Sequence, residues 1–388
     1  MSKWEVKVRT ITDVSPHENA DRLEVARVDG FDWDIIVGKG QFKVGNLAIY
    51  VPVDSILPQD ILDTVFKDSK VQPSKGRIKT ARIRQKVSYG LLLSPELLSG
   101  RKNQKDKTIH LIDVKDGMDV DEILGIVKYE PPEPAYSTRS MGMKKQKLNP
   151  YFREYVDVEN IKYYPNTFGY PDAEGNDVEV VVCEKVHGTN FRFGKLKKRM
   201  DNWFSRAWGK LTGEYEYVVG SRRVQQKTFG TGKTWLEQRG VVSENVYTHM
   251  AKKLKFKEWM PENYVVYGEI YGKGIQDMEY GLTDYDFIAF DVMYIDGETE
   301  RYLDYDEFKE FCLMYGLNRV PELYRGKWSQ DCLNYRTGTT TVGNNLAQIK
   351  EGVVIKTVKE TTNSLLGRVI LKVINEEYLL REKGTEFH

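Results

Sequence analysis

Asp177-Val178-Glu179-Val180-Val181-Val182-Cys183-Glu184-Lys185-Val186-His187-Gly188-Thr189-Asn190-Phe191 is the stretch on which the rest of the chain turns. Its β-branched run up to Cys183 has the composition of a buried strand. A lysine at the end of such a strand, before a glycine turn, is expected at the mouth of a cleft rather than on an open face. From Phe191 to Phe193 the apolar alternation resumes, so the turn reads as the tip of a hairpin. Lys185 is the group here that is both nucleophilic and suited to a phosphoryl or carbonyl electrophile. Attack needs the free amine, so its pKa is expected to fall from about 10.4 through burial or nearby cations. On these residues alone, a solvated surface lysine is the competing reading.

The 388 residues are enough for two or three domains. Hydrophobic residues at 40% allow ordinary cores, and a net charge of +1 gives no global pull towards nucleic acid. Any such binding must come from local basic patches. Cys183, Cys312 and Cys332 are odd in number and widely spaced, which argues against a disulfide framework and against a zinc site. With no signal peptide and no apolar run of about 18 residues, the expectation is a soluble cytoplasmic protein with no membrane partner.

Residues 1–130 read as a compact β domain. Lys3 to Ile11, Leu23 to Val28, Phe31 to Val37 and Asn46 to Val51 are short β-rich runs, with Asp29-Gly30 the strongest hairpin signal. Ile78 to Ser88 and Tyr89 to Leu93 add a strand pair. Five or so short strands at such spacing suggest a small barrel of the OB type. A strand through Arg77 to Lys86 would put Arg82, Arg84 and Lys86 on one face, either as a solvated face or as a phosphate-tracking groove.

Residues 131–150 read as a linker, because Glu130-Pro131-Pro132-Glu133-Pro134 cannot continue a helix or central strand and the stretch beyond is polar and basic. Residues 151–388 carry longer strands and a few helices. Within them, Lys195, Lys197, Lys198, Arg199 and Arg206 interleave with Trp203 and Trp208, a pattern fit either to grip nucleic acid or to cover a sheet. Ser243 to Lys257 is expected to be a helix capped by Ser243, and Tyr305 to Tyr315 a second.

Acids recur in strand-like settings after Lys185: Glu269 in Tyr267-Gly268-Glu269, Asp291 after Phe290, and Glu351 in Glu351-Gly352-Val353-Val354-Ile355-Lys356. A carboxylate in a buried strand is costly without a metal, a ligand hydroxyl or a cation beside it. Such acids, with Lys356, Arg222 and Lys372 at other strand ends, suggest one cleft for an anionic ligand and a divalent cation. That is the equipment of phosphoryl transfer. A P-loop is missing, and so is any Ser-His-Asp set.

The order K-x-H-G, S-R, Y-G-E, F-D, E-G-V-V-I-K and a late strand lysine resembles the motifs of the covalent nucleotidyltransferases, and among them the ATP-dependent RNA ligases with an N-terminal OB domain. Each motif is short, but six in this order span almost the whole chain. The resemblance implies an α+β protein: an OB-type β-barrel, then a mixed α/β nucleotidyltransferase domain of antiparallel sheets with flanking helices. It implies that Lys185 takes AMP from ATP, Glu184 reads the adenine edge, Asn190 orients a phosphate or hydroxyl, and Arg222 meets ribose or the incoming phosphate end. Glu269 would bind the ribose, Phe290 would stack on adenine, and Glu351 would hold Mg²⁺ or Mn²⁺. Lys356 and Lys372 would contact the α-phosphate and lower the Lys185 pKa. The competing readings are Phe290 as core, Lys356 as surface, and Arg222 paired with Glu216.

Two departures stand out. His187 occupies the place of the acid in K-x-D-G, and Lys372 is followed by Val373 and Ile374 where many relatives carry a second basic residue. Arg368 and Arg381 are candidates to replace it. The implied reaction is sealing of 3′-hydroxyl and 5′-phosphate ends in RNA repair, on RNA or an RNA-containing nicked duplex docked by Arg82, Arg84 and Lys86, by a protein expected to be monomeric. The alternatives are a DNA ligase, a capping guanylyltransferase, and a non-catalytic nucleic-acid-binding scaffold. His17-Glu18-Asn19-Ala20-Asp21-Arg22-Leu23, which resembles OB modules that bind transfer RNA, keeps the scaffold in view.

Overall fold

The structure is a computed structural model. It describes residues 4–67, 73–103, 105–129, 149–169, 177–198, 214–222, 225 and 246–381. The chain divides into two compact units. One is Ser2–Glu133 with Leu379–His388, the other Pro134–Tyr378 with Met1. Most of the expected 131–150 linker lies outside the described residues, as do Arg199, Trp203, Arg206 and Trp208.

In the first unit, strands Ile35–Gly38, Leu23–Val28, Lys7–Pro16, Leu47–Val51 and Leu91–Leu93 lie side by side in that order, each antiparallel to its neighbour. Both faces of the sheet are apolar, so alternate residues of one strand enter different cores. Ile49 and Val51 join a cluster with Val8 and Leu93, while Ala48 and Tyr50 join one with Ile11, Val28 and Ile35. Gly30, at a φ of +83°, takes the left-handed turn between the second and third runs.

The strand expected through Ile78 to Ser88 is instead a hairpin. Ala81–Ile83 pairs with Lys86–Ser88, and Arg84 and Gln85 form the two-residue turn with φ values of +48° and +72°. Two successive left-handed residues are what such a turn demands, and Asn-Gly usually supplies them. Arg-Gln hides that signal.

The second unit contains two five-stranded sheets. In the first, the order is Glu159–Asn160, Ile370–Ile374, Gly352–Thr357, Glu179–Lys185 and Glu322–Lys327. In the second it is Tyr215–Ser221, Thr189–Lys197, Tyr264–Gly272, Tyr285–Ile295 and Glu300–Tyr302. The chain crosses from one sheet to the other through Val186-His187-Gly188. The turn of the opening stretch therefore joins two sheets rather than capping a hairpin.

One face of the first sheet is a core of Val180, Val182, Val353, Ile355, Leu371 and Val373 over Ile161, Tyr164, Phe168 and Cys332. The other face carries the residues between these, including Cys183, Lys185, Lys356 and Lys372.

Helix Tyr305–Met314 opens on a capping box in which Glu307 accepts from the Asp304 amide, and it buries Tyr305, Phe308, Phe311 and Cys312. Helix Val246–Lys253 buries Tyr247, Met250 and Ala251. Its expected cap, Ser243, lies outside the described residues, and Lys255 (φ +48°) interrupts it ahead of a short 3₁₀ turn at Phe256–Glu258. All three cysteines are buried and unpaired, and burial pushes the Cys183 thiol up to about 11. Among the described residues, no helix is long and apolar enough to cross a membrane.

Candidate active site

Strand register assembles the site. Lys185 pairs with Gly352, and Gly352 with Ile374, so these three share a row across the first sheet. Glu351, one residue before that row, forms an ion pair with Lys185 Nζ. The Glu351 side chain is 1% exposed and that of Lys185 is 26% exposed. The ammonium therefore reaches towards solvent while the acid stays inside. A side chain at Gly352 would collide with the Val373 carbonyl, which explains the glycine after the acid. The charge in contact with Lys185 is thus a carboxylate, where burial or nearby cations were expected to lower its pKa.

Lys372 sits opposite Val354, in the row of Cys183, two residues from the Lys185 row and on the same face. That spacing is about 7 Å along the sheet. Ile374 fills the expected second basic position and is buried.

The His187-Gly188 turn is clamped by one loop. The His187 amide donates to the Tyr280 hydroxyl at 2.7 Å, and Gln276 Nε2 donates to the Gly188 carbonyl. The His187 ring lies between Asp277 (Nε2 to Oδ1, 2.7 Å) and the Tyr378 hydroxyl (Nδ1, 2.8 Å). A Cβ on Gly188 would strike the Ile270 carbonyl and come within 3.3 Å of Glu269 Oε2.

Asn190 pairs with Glu269 across the second sheet, five residues beyond Lys185 in the chain. Asn190 Oδ1 is buried and accepts no hydrogen bond from the described residues. This buried acceptor is open to a donor from water or a ligand. Phe290 is the extra residue at a bulge, where Tyr267 pairs with Asp291 and Gly268 with Ala289. Its half-buried ring meets Tyr155 edge-on at 4.8 Å. Arg222 follows the Tyr215–Ser221 strand and pairs with Asp157. Glu216, the partner considered for it, accepts from Asn149 at 2.7 Å.

Two expected site residues have protein partners of their own. Glu184 precedes Lys185, so it points to the opposite face of the strand. Its carboxylate accepts from Thr340 Oγ1, the Thr341 amide (2.9 Å) and Thr341 Oγ1 (2.6 Å), which leaves it engaged with this loop instead of facing the lysines. Lys356 is on the lysine face but four residues down its strand from Gly352, about 13 Å away. It is buried against Asp291 at 3.2 Å and Glu360 at 3.8 Å.

Arg368 joins the same buried cluster, 2.6 Å from Asp291, paired with Glu360 and stacked 3.7 Å from the Tyr302 ring centre. It is thereby excluded as the second basic residue. Burial disfavours the Asp291 charge, but Arg368 and Lys356 outweigh it and hold the carboxyl below its usual range. Tyr155 donates to the same acid at 2.8 Å.

In the first unit the three basic residues do not share a face. Ile83 pairs with Lys86 and Arg82 with Val87, so Arg82 and Lys86 lie on opposite sides of the ribbon, with Arg84 at its tip. Lys86 is 3.3 Å from Asp34. His17, from the stretch that kept a scaffold in view, is buried with Nε2 3.1 Å from the Ile83 carbonyl.

Asp277, Tyr280, Tyr378, Thr340 and Thr341 were not read from sequence. They come from loops and from the short helix Glu376–Leu379, up to 191 residues from their partners, and no local pattern marks them. Among the described residues, no group of three or more His, Cys, Asp or Glu side chains is placed to hold a metal ion.

A family model described as RNA ligase matches residues 178–374, and one described as an OB-fold domain matches residues 5–95. No curated protein matches. Among solved structures, Naegleria gruberi RNA ligase with PPi is 23% identical over 97% of this chain and 98% of that one, with a TM-score of 0.65. A variant of that ligase with ATP and Mn is 22% identical over 97% of each chain, at 0.64. Another, with AMP and Mn, is 23% identical over 97% of this chain and 98% of its own, at 0.65. The likeness is one of fold: an OB unit followed by a nucleotidyltransferase unit of antiparallel sheets, as expected from the sequence.

Proposed function

The chain belongs to the RNA ligase family, and from that premise we propose that it seals 3′-hydroxyl and 5′-phosphate RNA ends with ATP, through a covalent lysyl-AMP on Lys185, in RNA repair. The observation that carries this reading is the register that sets Lys185 on buried Glu351, with Lys372 on the same face and Asn190 and Glu269 beyond the turn.

With its ammonium proton passed to the Glu351 carboxylate against which it lies, Lys185 Nζ attacks the α-phosphorus of ATP as the free amine. An N–P bond forms, the bond to the β-phosphate oxygen breaks, and pyrophosphate leaves. A 5′-phosphate oxygen of RNA then attacks the same phosphorus, freeing the lysine and leaving AMP joined 5′ to 5′ on the strand. A 3′-hydroxyl attacks the RNA 5′-phosphorus, forms the phosphodiester and releases AMP. Covalent capture divides one difficult condensation into easier steps.

Lys372 faces the α-phosphate charge, a part that Lys356 is too deep to share. Glu269 meets the ribose hydroxyls, and Asn190 Oδ1 accepts from a reacting or ribose hydroxyl. Phe290, half-buried, would stack on the base, and Arg222 exchanges Asp157 for a phosphate. Glu184 acts by holding the Thr340-Thr341 loop.

The site fits a divalent ion of the Mg²⁺ or Mn²⁺ kind. Glu351 is a single buried carboxylate, and such ions are commonly held by one or two carboxylates together with substrate phosphates and water. When bound, the ion would neutralise phosphate charge. The ATP, AMP and Mn of the Naegleria structures support the same choice of nucleotide and metal.

The test is bypass. Lys185→Ala should fail to seal a 5′-phosphate RNA nick with ATP, yet seal a strand supplied already adenylylated. Sealing of the 5′-phosphate strand by the variant at the normal rate would refute the assignment.

A further inference from the structure

In the K-x-H-G turn, a histidine occupies the position where K-x-D-G relatives carry an acid. Its ring is fully buried and meets Asp277, whose side chain is 19% exposed. An ionised carboxylate only accepts hydrogen bonds, so the ring nitrogen facing it, Nε2, must carry a proton. Nδ1 meets the Tyr378 hydroxyl on the other side. The neighbours of Asp277 in its loop grip the same turn. Gln276 holds the Gly188 carbonyl and Tyr280 the His187 amide. The loop is tied down in turn, since the Tyr280 amide donates to Gln348 at 3.0 Å and the Asn344 amide to the Tyr280 carbonyl at 2.8 Å. Among these gripping groups, Asp277 alone is a carboxylate.

We propose that Asp277 is a positioning residue for the attack by Lys185: through His187 it restores to this turn the negative charge that K-x-D-G carries directly. Asp277 fixes the ring with Nε2 protonated, and the fixed ring holds the turn that sets Lys185 against Glu351. Histidine in place of the acid thus moves the carboxylate one side chain outward without removing it. The proposal rests on the reading of Lys185 as the nucleophile.

The test uses the full chain labelled with ¹⁵N-histidine, with the His187 signals assigned by their loss in His187→Ala. A ring-nitrogen shift of a protonated Nε2 is expected in the wild type. Asp277→Ala should lose that fixed state and form lysyl-AMP about 10- to 100-fold more slowly, the scale seen for carboxylate partners of metal-ligating histidines. Asp277→Asn keeps the shape and an accepting oxygen without the charge. It should slow adenylylation at least tenfold while retaining the Nε2 proton, and it decides the matter if Asp277→Ala fails to fold. An unprotonated Nε2 in the wild type, or a normal rate of adenylylation in either folded variant, overturns the proposal. A wild type that forms no lysyl-AMP overturns the ligase reading as well, so the two failures are distinct.

Discussion

Lys185 and Glu351 lie 166 residues apart in sequence and meet as an ion pair because one register places Gly352 opposite Lys185. The acid is buried and the lysine partly exposed, so the pair presents an ammonium held from beneath. Glu351→Gln keeps the shape and removes the charge. Lysyl-AMP formation should fall about a hundredfold or more, the scale for loss of one preorganised electrostatic group, with little change in the melting temperature. Adenylylation at the normal rate would leave Glu351 without a part in the chemistry.

Asp291 ties the second sheet to the first through Lys356 and also holds Arg368, from the short strand Gly367–Arg368. Removing it leaves two buried cations with one acid, Glu360, to share. Asp291→Asn should cost about 3–5 kcal/mol, read by denaturant unfolding. The folded carboxyl titrates below its unfolded value of about 3.9, so its contribution is complete above that pH and is lost as pH falls through the lower, folded value. The stability gap to wild type should therefore persist from pH 8 to pH 5 and close only below about pH 4. A gap closing near neutrality would contradict this.

Lys162, in the 3₁₀ turn Ile161–Tyr163 after the Glu159–Asn160 strand, has its ammonium pushed down to about 8 by burial, with Glu376 partly opposing the shift. The folded value lies below the unfolded one of about 10.4. Burial therefore costs stability below about pH 8, and the cost lifts as pH rises towards 10.4. Lys162→Met should melt higher than wild type at pH 7, and the gain should disappear near pH 10. A gain independent of pH would indicate packing rather than charge.

The Arg84-Gln85 turn separates stability from binding in the first unit. Asn-Gly suits both left-handed positions, so R84N/Q85G should raise the melting temperature or leave it unchanged. If Arg84 reaches a phosphate from the tip, RNA affinity should fall and its salt dependence should shrink by about one charge. Unchanged affinity and salt slope would remove Arg84 from the RNA contact.

How far the sequence carried can be seen residue by residue. The strand before Lys185 and the acid-glycine-valine strand were legible because β-branched runs mark buried strands whatever their partners. Pairing of those strands then brought Lys185 to Glu351. Alternation along the strand places Glu184 opposite to Lys185, a consequence of period two that the motif resemblance obscured. Lys356 shares the lysine face, but its depth depends on the register of three strands and not on its own motif. The Arg82–Lys86 hairpin was hidden because its turn lacks glycine. Asp277 and Tyr378 reach His187 from 90 and 191 residues away, and nothing local to His187 announces them.

The most direct test of the account is the intact mass of the protein after incubation with ATP and Mg²⁺, beside Lys185→Ala and a GTP sample, with the starting protein first treated with pyrophosphate to strip bound AMP. A gain of one AMP in the wild type, absent in Lys185→Ala and absent with GTP, is the predicted result. A wild type without an adduct, or an adduct that survives Lys185→Ala, would contradict the covalent role of Lys185.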